Sequence, residues 1–420
     1  MHRPQAALLA AILALAACGT DGPTAAPTPA ATTGPTPPSS LPAPTEAASA
    51  RPAAEVFAEI RAAVESIRGL QPTSEVDPVT IDEAQLVKNF TAEFDAGQTA
   101  EQLKNSEDLL ITLGLLLPGS SLRALTLDLQ AGQVVGYYSP DKDELFVVSR
   151  SGGMGPLEEA TYAHEFTHQL QDQAFKLDAL GLDDIDQSDR QLGVLGLVEG
   201  DASYVQSQWM FANLDSQEMG EILAAALDPK ALEALQNAPA YLRDTATFPY
   251  QDGLAFVTRL VTTGGFDAVN AAFADPPAST EQVLHPEKYV DREPPIEVTL
   301  PNIAGSLGSG WSEAGQDTLG ELLLRTWLRE GKVASTAARA AAVGWGGDRL
   351  ALLRGPGGVM SVGMVTEWDS VADADEFATA ATTATGSLSP GARVLHAAGS
   401  TRVLVALGAQ ADAVIAALAD

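Results

Sequence analysis

His164-Glu165-Phe166-Thr167-His168 sets two imidazoles four residues apart, with a carboxylate beside the first. On a helix, positions four apart share a face, so both rings can point at one ion, and zinc suits two neutral imidazoles. Glu165, on the same turn, can take a proton from a water that such an ion acidifies. The chain has only 5 histidines in 420 residues, so the pairing is no by-product of a histidine-rich composition. A catalytic zinc needs a third protein ligand and one open position. A third His six residues after the second is ruled out, because Gln171 and Ala174 stand where a Gly and that His would be. The other solution is a carboxylate on a following helix. Leu197-Val198-Glu199-Gly200-Asp201-Ala202 offers one, with an apolar approach before the acid and small residues after it. Glu199 is the expected third ligand.

HExxH followed by a Glu-Gly-x-Ala segment resembles the gluzincin metallopeptidases, the group that includes thermolysin, over roughly 133–289. The resemblance implies a zincin-like catalytic domain holding one zinc ion on His164, His168 and Glu199. It implies a peptide or protein substrate hydrolysed by an activated water, with Glu165 as general base. It further implies that the 133–149 hairpin belongs to the sheet whose edge lines the cleft, where an extended peptide adds through backbone hydrogen bonds. A downstream His or Tyr should stabilise the oxyanion. His285, where Pro286 ends a helix, is the first candidate, and Tyr250, in Pro249-Tyr250-Gln251-Asp252-Gly253, the second.

One position departs from the thermolysin pattern. The Asp that supports a ligating His from four residues beyond the third ligand is replaced by Ser203. Support must come from elsewhere, with Asp172, one turn after His168, and Asp201 as candidates. His396 reads as structural, and His2 belongs to the N-terminal signal. Two other readings stay open: a non-catalytic envelope lipoprotein that uses the fold for binding or scaffolding, which would not need Glu165, and a zinc hydrolase of non-peptide amides.

The elements that must position these residues are visible as patterns. Met1-His2-Arg3 precedes an apolar run over 6–17, too short to span a bilayer, which ends in Leu15-Ala16-Ala17-Cys18-Gly19. This resembles a bacterial lipobox. It implies a lipoprotein signal over 1–18, a lipid on Cys18, and attachment to the extracytoplasmic face of a bacterial cell membrane. Residues 19–50, nearly all Pro, Ala, Thr, Ser and Gly, bury too little to fold and form a tether. The net charge of −31 argues against a nucleic-acid partner. No pattern speaks to oligomeric state.

Residues 51–120 form a helical lead-in. Pro52 opens a helix whose face is Val56, Ile60, Val64 and Ile67 and which stops at Gly69; a second helix covers about 82–94. A third begins at Thr99, with Gln102 completing a capping box, and ends before Pro118. Residues 121–300 form the catalytic domain. Strands at 133–138 and 144–149 precede a helix that opens at Gly155-Pro156 and runs to about Leu177. From Gly200 to Tyr289 the pattern is mainly helical. Residues 301–420 carry helices near 318–329 and 333–343, then a ββαββα series, giving an α+β chain overall. Trp345-Gly346-Gly347-Asp348-Arg349 is distinctive but suggests no chemistry.

Overall fold

Alternating apolar residues on two short strands draw helices onto both faces of a small sheet. The computed structural model describes residues 9–12, 52–140, 142–149, 154–182, 184 and 186–420, so Cys18 and the expected 19–50 tether lie outside the described residues. Strand β1 (Leu9–Ile12) falls within the expected N-terminal signal. Helix α1 (Ala53–Arg68), strand β2 (Pro78–Ile81) and helices α2 (Glu83–Gly97), α3 (Ala100–Leu113) and α4 (Leu122–Gln133) follow. Strands β3 (Val134–Ser139) and β4 (Glu144–Val148) form the expected hairpin, with Tyr137 opposite Phe146. β2 lies parallel to β4 and β1 antiparallel to β3, giving the order β1-β3-β4-β2. Tyr138, Leu145 and Val147 face α1 and α5 (Pro156–Phe175), while Tyr137, Phe146 and Val148 face α2. This period-two division buries both faces, as a covered sheet requires.

α5 is packed from behind by α1, where the Phe57 and Tyr162 rings lie 4.4 Å apart. In front, Gly136 of β3 leaves room for Thr161 and Glu165, and a Cβ there would overlap the Thr161 methyl group. Helices α6 (Ser188–Asn213), α7 (Ser216–Ala226), α8 (Pro229–Asn237) and α9 (Ala240–Ala274) complete this half, with the short α10 (Thr280–Leu284) and α11 (Pro286–Val290). α6 and α9 touch backbone to backbone. A Cβ on Gly253 would overlap the Gly196 carbonyl, and one on Gly200 would overlap the Gly253 carbonyl. α9 is two helices joined at Gly265, whose φ of 65° and ψ of −165° lie in a region open essentially to glycine alone.

The C-terminal half begins with α12 (Ile303–Leu307) and β5 (Ser312–Asp317), then α13 (Gly320–Glu330) and α14 (Ser335–Ala340). The expected ββαββα series follows as β6 (Trp345–Arg354), β7 (Met360–Trp368), α15 (Val371–Leu388), β8 (Arg393–His396), β9 (Arg402–Gly408) and α16 (Ala411–Ala419). β5 extends the sheet to five antiparallel strands, in the order β5-β6-β7-β9-β8. Leu350 and Leu352 pack under α13 and α15, while Ala351 and Leu353 pack under α12 and α16. The fold is therefore α+β, with two sheets.

The lead-in helices divide between the halves. α1 joins the α5 core, whereas Leu110 and Leu113 of α3 join the core of the second sheet, and Trp327 Nε1 donates to the Leu113 carbonyl at 3.1 Å. The Trp345–Arg349 turn acquires a role here. The Asp348 carboxylate accepts the backbone N–H groups of Leu319 and Gly320 and the Trp345 indole N–H at 2.8–2.9 Å, fixing the start of α13. Arg349 donates to the Asp186 carbonyl, tying β6 to the segment before α6. Among the described residues, no helix is long and apolar enough to cross a membrane.

Gly253→Ala should lower stability by about 2–3 kcal/mol, because the added methyl group meets the α6 backbone, which cannot yield without moving the helix. Gly220→Ala, at an exposed α7 position with nothing within 4 Å of the new methyl group, should raise it by about 0.5–1 kcal/mol. Urea unfolding of both variants checks the contrast; equal effects would mean that the α6–α9 contact is not close.

Candidate metal centre

The middle of α5 is buried on every side, so its polar side chains must find partners inside the protein. Glu158, the third residue of the helix, returns its carboxylate to the Gly155 N–H, and Pro156 sits at the first position, where its missing N–H costs nothing. Two turns further on, His164 and His168 face α6. Their Nε2 atoms are 3.0 Å apart, and the Glu199 carboxylate lies 3.1 Å from His164 Nε2 and 3.4 Å from His168 Nε2. None of the three residues is more than 2 % exposed.

These distances test the fit to a metal. Ligands about 2.0–2.2 Å from a tetrahedral ion stand roughly 3.3–3.5 Å from one another. The observed 3.0–3.4 Å spacings fit one face of such a shell, slightly contracted. Two imidazole lone pairs facing each other across 3.0 Å, beside a carboxylate, call for one positive charge between them. A shared proton or a metal ion meets that demand, and the donor set of two nitrogens and one oxygen suits zinc.

The tautomer of His168 is set by its neighbours. The Gln171 amide nitrogen donates to the Val198 carbonyl at 3.0 Å and to Asp201 Oδ2 at 2.9 Å, both acceptors only. Its oxygen must therefore face His168 Nδ1, which it meets at 2.8 Å. Nδ1 then carries the proton, and the Nε2 lone pair points at Glu199 and His164. Among the described residues, His164 Nδ1 has no such partner of good geometry; a neighbouring polar side chain is Gln206, which itself donates to the Ala160 carbonyl.

Burial dominates the electrostatics of His164 and pushes its pKa down, favouring the neutral form. Burial also opposes the charged forms of His168 and Glu199, but their mutual attraction outweighs it. His168 rises to about 9 and the Glu199 carboxyl falls to about 2. The cluster thus retains one carboxylate and a site for one cation. Glu165 is fully buried beside it, on the turn that packs against Gly136.

The structure brings together most, but not all, of the residues singled out by sequence. The Tyr250 ring lies against His164, with centroids 6.1 Å apart and planes 27° apart. His285 is turned to α13, where its Nε2 meets the Glu321 carboxylate at 3.0–3.1 Å. Asp201 joins the centre through Gln171. Asp172 instead accepts the Tyr138 hydroxyl and the Leu177 N–H, both at 3.1 Å, which closes the end of α5. His396 bridges the Arg402 carbonyl and Asp375 within the C-terminal half. Sequence reasoning missed Gln171 as a partner of His168, although its place three residues on, along one helix face, was the available signal. It also missed Arg68, whose Nε donates to Asp201 Oδ2 at 2.9 Å from α1; no local pattern signals that contact.

Comparison with known proteins reaches only the C-terminal half. Residues 307–417, from the end of α12 into α16, match the model of a domain of unknown function, DUF8575. No curated protein matches the chain. No solved structure matches it.

The His285–Glu321 contact carries a pH signature. The hydrogen bond to Glu321 is the largest influence and raises the His285 pKa above its usual value against the opposing effect of burial; Glu281 and Glu287 add to the rise. A raised folded-state pKa contributes stability that is complete below about pH 6.5 and lost as pH climbs through the folded value. His285→Gln should remove that contribution. Its urea midpoint should fall below that of the parent protein at pH 6, with the gap narrowing at pH 8. A gap that is constant or widens with pH would contradict the assignment.

Proposed function

We propose that the protein is a zinc-dependent metallopeptidase whose metal is held by His164, His168 and Glu199. The observation that carries this reading is the buried three-atom cluster, in which two imidazole nitrogens and a carboxylate oxygen lie within 4.8 Å of one another beside Glu165. Zinc bound there supplies Lewis acidity toward a carbonyl group and toward water.

The chain's own groups do the rest. Glu165, one residue from His164 and fully buried, takes the proton of the attacking water and delivers it to the leaving amine. Gln171 holds the His168 ring so that its lone pair faces inward. Tyr250, whose ring lies beside His164, is better placed to donate a hydrogen bond to the oxyanion than His285, which lies against Glu321 of α13.

A peptide substrate is supported by the sheet edge. β3 runs beside α5, and an extended segment, β1, pairs antiparallel with it from Leu9 opposite Tyr138 to Ile12 opposite Val134. An edge that accepts one extended segment by backbone bonds has the geometry to accept another. The zincin-like assignment of this half and a lipid-anchored, extracytoplasmic placement through Cys18 belong to the same reading.

The test is zinc content together with hydrolysis of an unstructured protein such as casein. The protein should hold one zinc per chain and lose it in His164→Ala and Glu199→Ala. Glu165→Gln should keep the zinc and lose activity by roughly 10²–10⁴-fold, the usual contribution of a positioned base. Zinc retained without hydrolysis in the parent protein would favour a scaffold, and absence of zinc would end the reading.

A further inference from the structure

α1 packs behind the metal helix and looks like scaffolding, yet its last residue reaches the metal cluster's support. Arg68 is 1 % exposed. Its Nε donates to Asp201 Oδ2 at 2.9 Å, and both side chains are fully buried. Its guanidinium lies over the Phe266 ring at 4.7 Å and near the Phe175 ring at 5.8 Å. Among the described residues, the two terminal nitrogens, Nη1 and Nη2, have no hydrogen-bond partner. A buried cation that makes one hydrogen bond and leaves two nitrogens without one is costly, and its contact with Asp201 is the feature that offsets the cost.

Resting on the metal-centre reading above, we propose that Arg68 is a positioning residue for zinc. By holding the Asp201 carboxylate it fixes the Gln171 amide, and through that amide the tautomer of His168. The chain of contacts is continuous. Arg68 Nε and Gln171 Nε2 both donate to Asp201 Oδ2, at 2.9 Å each, and Gln171 Oε1 faces His168 Nδ1 at 2.8 Å. Removing the positive charge leaves the Asp201 carboxylate buried with only a neutral amide to meet it. The amide nitrogen then keeps the Val198 carbonyl as its one firmly placed acceptor, which weakens the orientation that makes its oxygen, not its nitrogen, face His168. With the amide reversed, His168 would be pressed to carry its proton on Nε2, where a metal ligand must be bare. The lead-in segment thus contributes a cation to the centre from outside both the HExxH helix and the Glu199 helix.

The discriminating measurement is zinc affinity by chelator competition on the full chain, with the Co(II) visible spectrum as a check on coordination and urea midpoints of the metal-free forms as a check on folding. Arg68→Lys keeps the charge and loses the ring stacking; it should bind zinc within about three-fold of the parent while unfolding more easily. Arg68→Gln keeps an N–H and loses the charge; it should bind about 10–100-fold more weakly, the usual effect of removing a partner behind a ligand. Arg68→Gln/Asp201→Asn, neutral at both positions and still able to accept from Gln171, should recover most of the loss.

Zinc affinity unchanged in Arg68→Gln, or weakened equally in the Lys and Gln variants, would overturn the proposal and leave Arg68 a packing residue. Failure of the double variant to recover would do the same. These outcomes are distinct from failure of the metal centre itself. That would appear as a parent protein without zinc, or with zinc that His164→Ala does not weaken, and would overturn both.

Discussion

A carboxylate and two imidazoles buried side by side are unfavourable by several kcal/mol unless a positive charge is shared among them. His164, His168 and Glu199 are in that position, and the surrounding architecture serves to make their burial tolerable. Two neighbouring polar groups are tied to them: Gln171 is spread between His168, Val198 and Asp201, and Asp201 is met by Arg68. The polar interior is therefore a connected network. A network of this kind favours one geometry strongly, because displacing any member strands another in a medium of low dielectric.

The second constraint is distance. α5 and α6 carry the three candidate ligands, and α9 brings Tyr250 over His164 only because α6 and α9 meet backbone to backbone at Gly196, Gly200 and Gly253. On the other side, Gly136 allows β3 to approach α5 at Thr161 and Glu165, beside the same cluster. Small residues on three elements thus set how closely α9 and β3 approach the cluster, while the network sets the orientation of its side chains.

The C-terminal half acts on this site indirectly. Asp348 fixes the first N–H groups of α13, and α13 packs on α9 and α10 and meets His285 through Glu321. α3, from the lead-in, packs against the far half of the chain, so the two cores are stitched by a segment that precedes both. Two buried acids at this seam, Asp189 and Asp348, are pushed up by burial to about 8 and about 6. The seam is accordingly held by hydrogen bonds from Thr280, Leu319, Gly320 and Trp345.

By itself the sequence determined the α5 helix, its His164–Glu165–His168 face, the 133–149 hairpin, the capping box at Thr99 and the ββαββα order near the C-terminus. These are local properties: helical and strand periodicities, cap residues and turn residues act within a few positions, so they are legible without the fold. Strands β1, β2 and β5 and helix α4 escaped, because short segments take their state from the sheet or core they join. Only the tertiary structure decided that Glu199 closes the cluster, that Tyr250 rather than His285 lies against His164, and that Asp201 rather than Asp172 supports His168. Arg68 is the extreme case, separated from Asp201 by 133 positions. A buried ion pair between distant elements leaves no periodicity and no spacing; it exists because packing α1 behind α5 brings a cation to the buried Asp201 carboxylate.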